Sequence, residues 1–373
     1  MSWTRRRVLQ ASAAAALLGC RGAPPPVAAP PPAGVDLRPI LEGPPDLLAP
    51  GLAAELASGL TLDDLALQLA TFALQRCDTR SADGSGTVSH ALLGVLPARR
   101  LGDRLPSDRA AIPLLHVAHW VAREARRSPY HDGVFTLPAP AAAPADATRL
   151  TDAIQGGDVG AADAIGAALA ADPAATAQAL LPFARTFGHG GHGALLLDAA
   201  VQLHRLSPDA GFLRAPTRYL ASVACAPAHG GAPPDVARAF GLLAARPASP
   251  LFGEGHLASS LVALRRVAPG ADASWVVDAE AGQLGFSALA PEAAPLPATT
   301  PVPTLVERAA VGAQTSVLHS IKFVDAALVQ ADSAPARRSD ALAFAERVVR
   351  QMRGASSWEA PILDALGLAP LPR

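Results

Sequence analysis

The chain has 373 residues, half of them hydrophobic, which is enough for one large core or two smaller ones. Its formal net charge of −1 leaves no electrostatic footprint for nucleic acid. Alanine dominates, aromatics make up only 4%, and β-branched runs are scarce, a balance that favours helices over sheets.

The basic residues are lopsided. Lys322 is the only lysine, every other cation is arginine, and asparagine is absent. Both missing types use A-rich codons, so a GC-rich coding sequence accounts for the bias and makes the surviving lysine more informative.

Thr4-Arg5-Arg6-Arg7-Val8-Leu9-Gln10 resembles a twin-arginine export signal. The apolar segment at 11–18 is too short for a permanent membrane span and reads as a cleavable signal. Leu17-Leu18-Gly19-Cys20 then resembles the lipobox of bacterial lipoproteins, whose cysteine is acylated and becomes the mature N-terminus. The resemblance implies lipidation at Cys20 and an address in the cell envelope. Residues 21–47 carry two Pro-Pro-Pro runs among alanines, which favour extended polyproline geometry and read as a tether. Residues 48–373 form the body. Its two cysteines, Cys77 and Cys225, could form a disulfide in an exported compartment.

In the body, Thr61-Leu62-Asp63-Asp64 resembles a capping box, and Leu62, Leu65, Leu69 and Phe72 fall on one helical face. His90 starts the next helix, which Pro97 must end or kink. Pro113 suits a first helical position, with helix to about residue 126. Residues 128–148 read as loop, Pro/Ala-rich over 137–148. Helices follow at about 161–170, 174–187, 192 to near 207–208, 216–226, 235–245, 256–267 and 272–281. A Pro-rich link spans 290–303. Thr304-Leu305-Val306-Glu307 resembles a capping box before a long helical region, and the last helix covers 339–352. The fold class is all-α: stacked helical hairpins or repeats, as a solenoid or a closed bundle.

The repeats are marked by histidines that open apolar helical runs. His192 to His256 spans 64 positions and His256 to His319 spans 63, while His90 lies 102 before His192. A fixed period marks repeated helical units, each unable to bury its apolar face alone. If the units wrap around an axis, His90, His192, His256 and His319 converge on a pocket and can bind a transition metal. Imidazole at a helix N-terminus meets the positive end of the dipole, which keeps a lone pair free for a metal. The structural alternative is that each histidine packs in its own inter-helix groove. No zinc motif such as His-Glu-x-x-His is present.

His189 stands three before His192 in a glycine-rich stretch and could chelate with it; His189 and Glu254, two before His256, are assigned to cofactor binding. Lys322 and Asp325 follow His319 by three and six. They are the candidate catalytic pair, a desolvated lysine with a carboxylate in reach, or else an ordinary surface ion pair. Asp198 stands six past His192, as Asp325 does past His319. His116 and His119 share a stripe with Arg123 and Arg126 that reads as a solvated face. His131 and His229 fall in loops and His204 near a helix C-terminus; none of these three is given a role. No Gly-x-Gly-x-x-Gly, P-loop or Gly-x-Ser-x-Gly is found.

His90-Ala91-Leu92-Leu93, and His319-Ser320-Ile321-Lys322-Phe323 with Asp325, resemble segments of bacterial questin-oxidase-like proteins. The resemblance implies an all-α fold and an oxygen-dependent oxidation of a polyketide-like or aromatic small molecule. Two functions are therefore expected of the exported lipoprotein: a metal- or cofactor-dependent oxidoreductase, or a non-catalytic helical-repeat scaffold that binds a small molecule or an envelope protein.

Overall fold

Aspartates start four of the helices. Asp146, Asp158, Asp172 and Asp209 each accept a hydrogen bond from a backbone N–H two or three residues on, satisfying donors that a helix start leaves orphaned. Thr61 does the same, its hydroxyl accepting from the Asp64 N–H at 3.1 Å as the capping box requires.

A computed structural model describes residues 35–76, 90–127, 141–185, 191–227, 236–244, 251–267, 298–311, 317–352 and 357–369. Its helices all lie in one unit, Leu37–Arg373. In chain order they are α1 Arg38–Glu42, α2 Pro45–Ala57, α3 Leu62–Arg76, α4 His90–Gly102, α5 Ile112–Arg127, α6 Ala147–Gln155, α7 Val159–Leu169 and α8 Pro173–Ala184. Then come α9 His192–Leu206, α10 Ala210–Ser222, α11 Val236–Ala244, α12 Leu251–Val267, α13 Val302–Val311, α14 Val317–Ser333, α15 Arg338–Gln351 and α16 Glu359–Ala365. The fold is all-α, with no strand among the described residues.

Four helices form the middle. α4 packs on α14, α14 on α12, α12 on α9, and α9 on α4, so the ring closes. That is a bundle, not an open solenoid. α3 and α5 cover α4, α8 and α10 cover α9, and α11, α13 and α15 cover α12 and α14. A single apolar cluster runs through all of them.

Several boundaries differ from the sequence reading. α1 and α2 begin inside the segment read as tether, and Leu37 and Leu41 are buried in the core. α4 runs on through Pro97, because proline removes one backbone bond while Ala91 to Leu96, Ala98 and Leu101 stay buried on the helix. α10 starts six residues before Pro216, where Asp209 caps Gly211, and holds that proline inside. α6 was not expected. α13 begins at Val302, so Thr304 lies within its first turn and is not its cap. The tether at 21–34, the helix at 272–281, the signal with Cys20, and Cys77 lie outside the described residues. Cys225 is half-buried, its thiol donating to the Phe183 carbonyl at 3.7 Å.

Candidate metal centre

The four marker histidines meet. Their ring centroids form a closed circuit: His90 to His192 5.1 Å, His192 to His256 4.9 Å, His256 to His319 4.9 Å, and His319 to His90 4.9 Å. Ring nitrogens of His90, His192 and His256 lie within 4.8 Å of one another, close enough to share one ion. Nitrogen-to-zinc bonds of about 2.0–2.1 Å need only a modest closing of such a set. His319 flanks this trio.

Helix starts place three of them. His90 and His192 are the first residues of α4 and α9, and His319 is the third of α14. Gly191, in the left-handed region at φ 68°, turns the chain into α9, and its carbonyl accepts from the Ser260 hydroxyl at 3.2 Å. His256 departs from the expectation: α12 begins at Leu251, so this histidine sits in its second turn. Gly255 beside it allows the approach of α14. A Cβ there would stand 2.2 Å from the ring of Phe323, which packs edge-on against His256 with centroids 5.3 Å apart.

One layer down, ion pairs hold the helices. Asp325 accepts a fork from Arg100, 2.9 Å from Nε and 2.6 Å from Nη2. Asp198 takes the corresponding pair of bonds from Arg266 on one oxygen, Oδ2, 3.0 Å from Nε and 2.6 Å from Nη2. Gln202 joins the two: its Oε1 accepts from Arg100 at 3.2 Å and its Nε2 donates to Asp198 at 2.7 Å. Since Arg100 and Arg266 each stand ten past a histidine, and Asp198 and Asp325 six past one, the four helices all run away from the histidine layer in one direction.

This pattern has a two-fold logic. Exchanging α4 with α12 and α9 with α14 turns the Arg100–Asp325 pair into the Arg266–Asp198 pair. The sequence repeats the logic: His-x8-Arg-Arg at 90–100 and 256–266, and His-x5-Asp-Ala-Ala at 192–200 and 319–327. The equivalent helices therefore alternate, and the intervals of 64 and 63 join helices of different type.

Electrostatics disfavours a proton on His319. Burial pushes the His319 imidazole far below its ordinary value, and Lys322 and the three other histidines push it the same way. A neutral ring keeps a lone pair for a metal. Lys322 is buried, and burial lowers its amine to about 7 against an opposing pull from Glu124. Glu124 on α5 accepts from the Ala91 N–H at 3.3 Å, beside His90 at the start of α4. Beyond His192 lies Tyr219, ring centroids 6.5 Å apart; burial raises its phenol.

Other candidates fall elsewhere. Asp325 is committed to Arg100 and does not pair with Lys322, which corrects the expected catalytic couple. Glu254 forms a buried ion pair with Arg347 at 2.5 Å, and Arg347 also donates to the Leu243 carbonyl, so the pair joins α12 to α15 and α11. His189, His131 and His229 lie outside the described residues. His204 is bonded through Nδ1 to the Asp209 carbonyl at 3.0 Å. The stripe of His116 and His119 is not solvated. α1, α2 and α16 cover α5, and His119 stacks on Trp358 with centroids 5.0 Å apart and planes 11° off parallel. Arg123 lies over Trp120, and Arg126 donates to the Gly43 carbonyl. The stripe reads as polar because its cover comes from segments distant in sequence.

Sequence reasoning missed Arg100, Arg266 and Gln202, although the shared Arg-Arg ten residues after two histidines was there to be read. No sequence signal singled out Glu124 or Tyr219. In comparisons with protein-family models, curated proteins and solved structures, the chain matches none.

Proposed function

We propose that this protein is a transition-metal oxidoreductase of the questin-oxidase-like type, exported and held to the membrane through a lipid on Cys20. The observation that carries the metal reading is the cluster itself, three imidazoles within 4.8 Å and a fourth ring at 4.9 Å. Four imidazoles with no thiolate suit zinc, copper, iron or nickel. Three nitrogens as ligands, with His319 and Lys322 beside the remaining position, follow the pattern of a catalytic centre more closely than that of a closed structural one. A bound metal would supply Lewis-acid polarisation or one-electron exchange. The chain's own residues hold the His319 imidazole neutral and bury an amine one turn beyond it. The substrate class, an aromatic or polyketide-like small molecule oxidised by dioxygen, rests on the sequence resemblance. The alternative, a scaffold presenting an open groove, draws no support from a closed ring of helices.

Two experiments test the reading. Protein purified from the envelope should contain about one transition metal per chain, and its oxygen uptake with hydroxylated aromatic compounds should stop on chelation. A metal-loaded protein with no oxygen uptake across such a panel would leave a structural metal only. Cys20→Ala should release the protein from membranes after export, and unchanged attachment would refute the lipid anchor.

A further inference from the structure

The carboxylates beside the histidine layer are spoken for. Asp325 faces Arg100, Asp198 faces Arg266 and Glu254 faces Arg347. Glu124 acts on the buried amine of Lys322 and accepts from the Ala91 N–H. Among the described residues, the group of side chains close enough to share an ion holds imidazoles alone, with no carboxylate and no thiolate. Non-haem iron centres of the two-histidine, one-carboxylate kind use an anionic ligand that this group lacks.

Neutral donors leave the charge of an ion uncompensated. The helix starts add to that charge: α4 begins at His90, α9 at His192 and α14 two residues before His319, so three positive helix ends lie at the centre. Its surroundings are also apolar. His256 and His319 are buried, and the Phe323 ring lies against both, with centroids 5.3 and 5.6 Å away. Taking an ion out of water costs in proportion to the square of its charge, so such a site penalises a divalent or trivalent ion far more than a monovalent one. The apolar shell around a centre sets its redox potential in this way. Among the metals that imidazole suits, copper alone has a common monovalent state. The cuprous ion has a filled d shell and accepts three neutral nitrogens without an anionic ligand.

Resting on the metal reading above, we propose that the histidine centre is a copper site that binds the cuprous ion in preference to the cupric ion. The preference comes from the neutral donor set and its apolar cover.

The test uses the full chain, freed of metal. Cu⁺ is titrated in competition with bathocuproine disulfonate, and Cu²⁺ in competition with nitrilotriacetate. The ratio of Cu⁺ to Cu²⁺ affinity should exceed that of the two ions in water at least tenfold. The midpoint of the copper-loaded chain, read against a ferricyanide–ferrocyanide couple, should then lie at least about 59 mV above that of free copper. His319→Glu, which sets a carboxylate beside the other three imidazoles, should lower the ratio at least tenfold, and the neutral His319→Gln should lower it less than tenfold. A parent ratio raised by less than tenfold overturns the proposal, whether or not the variants fold. So does a raised ratio that survives His319→Glu. In either case binding of Co²⁺ or Zn²⁺ by the parent leaves the metal reading standing. A parent chain that binds none of these ions overturns both.

Discussion

The ion-pair layer beneath the histidines makes a quantitative prediction. Asp325→Asn keeps the side-chain volume but leaves the Arg100 guanidinium facing a neutral amide. Asp325 accepts a two-pronged fork and its side chain is 3% exposed, while that of Arg100 is 27% exposed. Breaking a fully buried pair by removing one partner costs about 3–5 kcal/mol, and an exposed pair is worth about 0–1 kcal/mol. With one partner buried and the other partly wet, the loss should be about 2–3 kcal/mol. Asp198→Asn faces an Arg266 side chain of the same 27% exposure, so its loss should agree within about 1 kcal/mol. Because Gln202 ties the two pairs together, the double variant should lose less than the two losses added, by at least about 0.5 kcal/mol. Urea unfolding of chelator-treated protein reads all three. Single losses below about 0.5 kcal/mol would show that the layer is a surface feature and does not hold the four helices in register.

The His116 and His119 rings have folded-state values of about 3 and about 4, both depressed first by burial. The unfolded chain therefore binds more protons below about pH 6.5, so stability is complete above that pH and falls as pH drops towards 3. His116→Phe should flatten this acid loss in thermal melts between pH 6 and 4, and an unaltered slope would contradict the buried placement. Gly255→Ala forces a methyl into the Phe323 ring, so it should cost about 1–3 kcal/mol, as overpacking does, and weaken metal binding by shifting His256. Co²⁺ affinity and stability equal to those of the parent would show that the α12–α14 spacing is not set there.

The helix content was legible because it follows local rules: apolar spacing after Thr61, the proline at the start of α5, and the run after His192. The convergence of His90, His192, His256 and His319 was anticipated from their recurrence along the chain, although only three stand at helix starts and the intervals of 64 and 63 join helices of different type. What holds them there was not. Asp325 stands three from Lys322 on one helix, and local spacing favoured that pair, yet Arg100, 225 positions away, takes the carboxylate. Glu254 is drawn off in the same way by Arg347. The stripe of His116 and His119 looked wet because its cover, α1, α2 and α16, comes from both ends of the body. Each of these three misses is a long-range partner that outweighed a local pattern, and periodicity carries no information about such partners.

The proposed metal centre is tested most directly by Co²⁺ titration of the apo chain, monitored by its visible absorption, beside the single variants His90→Ala, His192→Ala and His256→Ala. The account expects one ion per chain in the parent and a fall in affinity of at least about a hundredfold in each variant, the loss of one ligand among three. A parent chain that takes up no ion, or three variants that bind as the parent does, would contradict it.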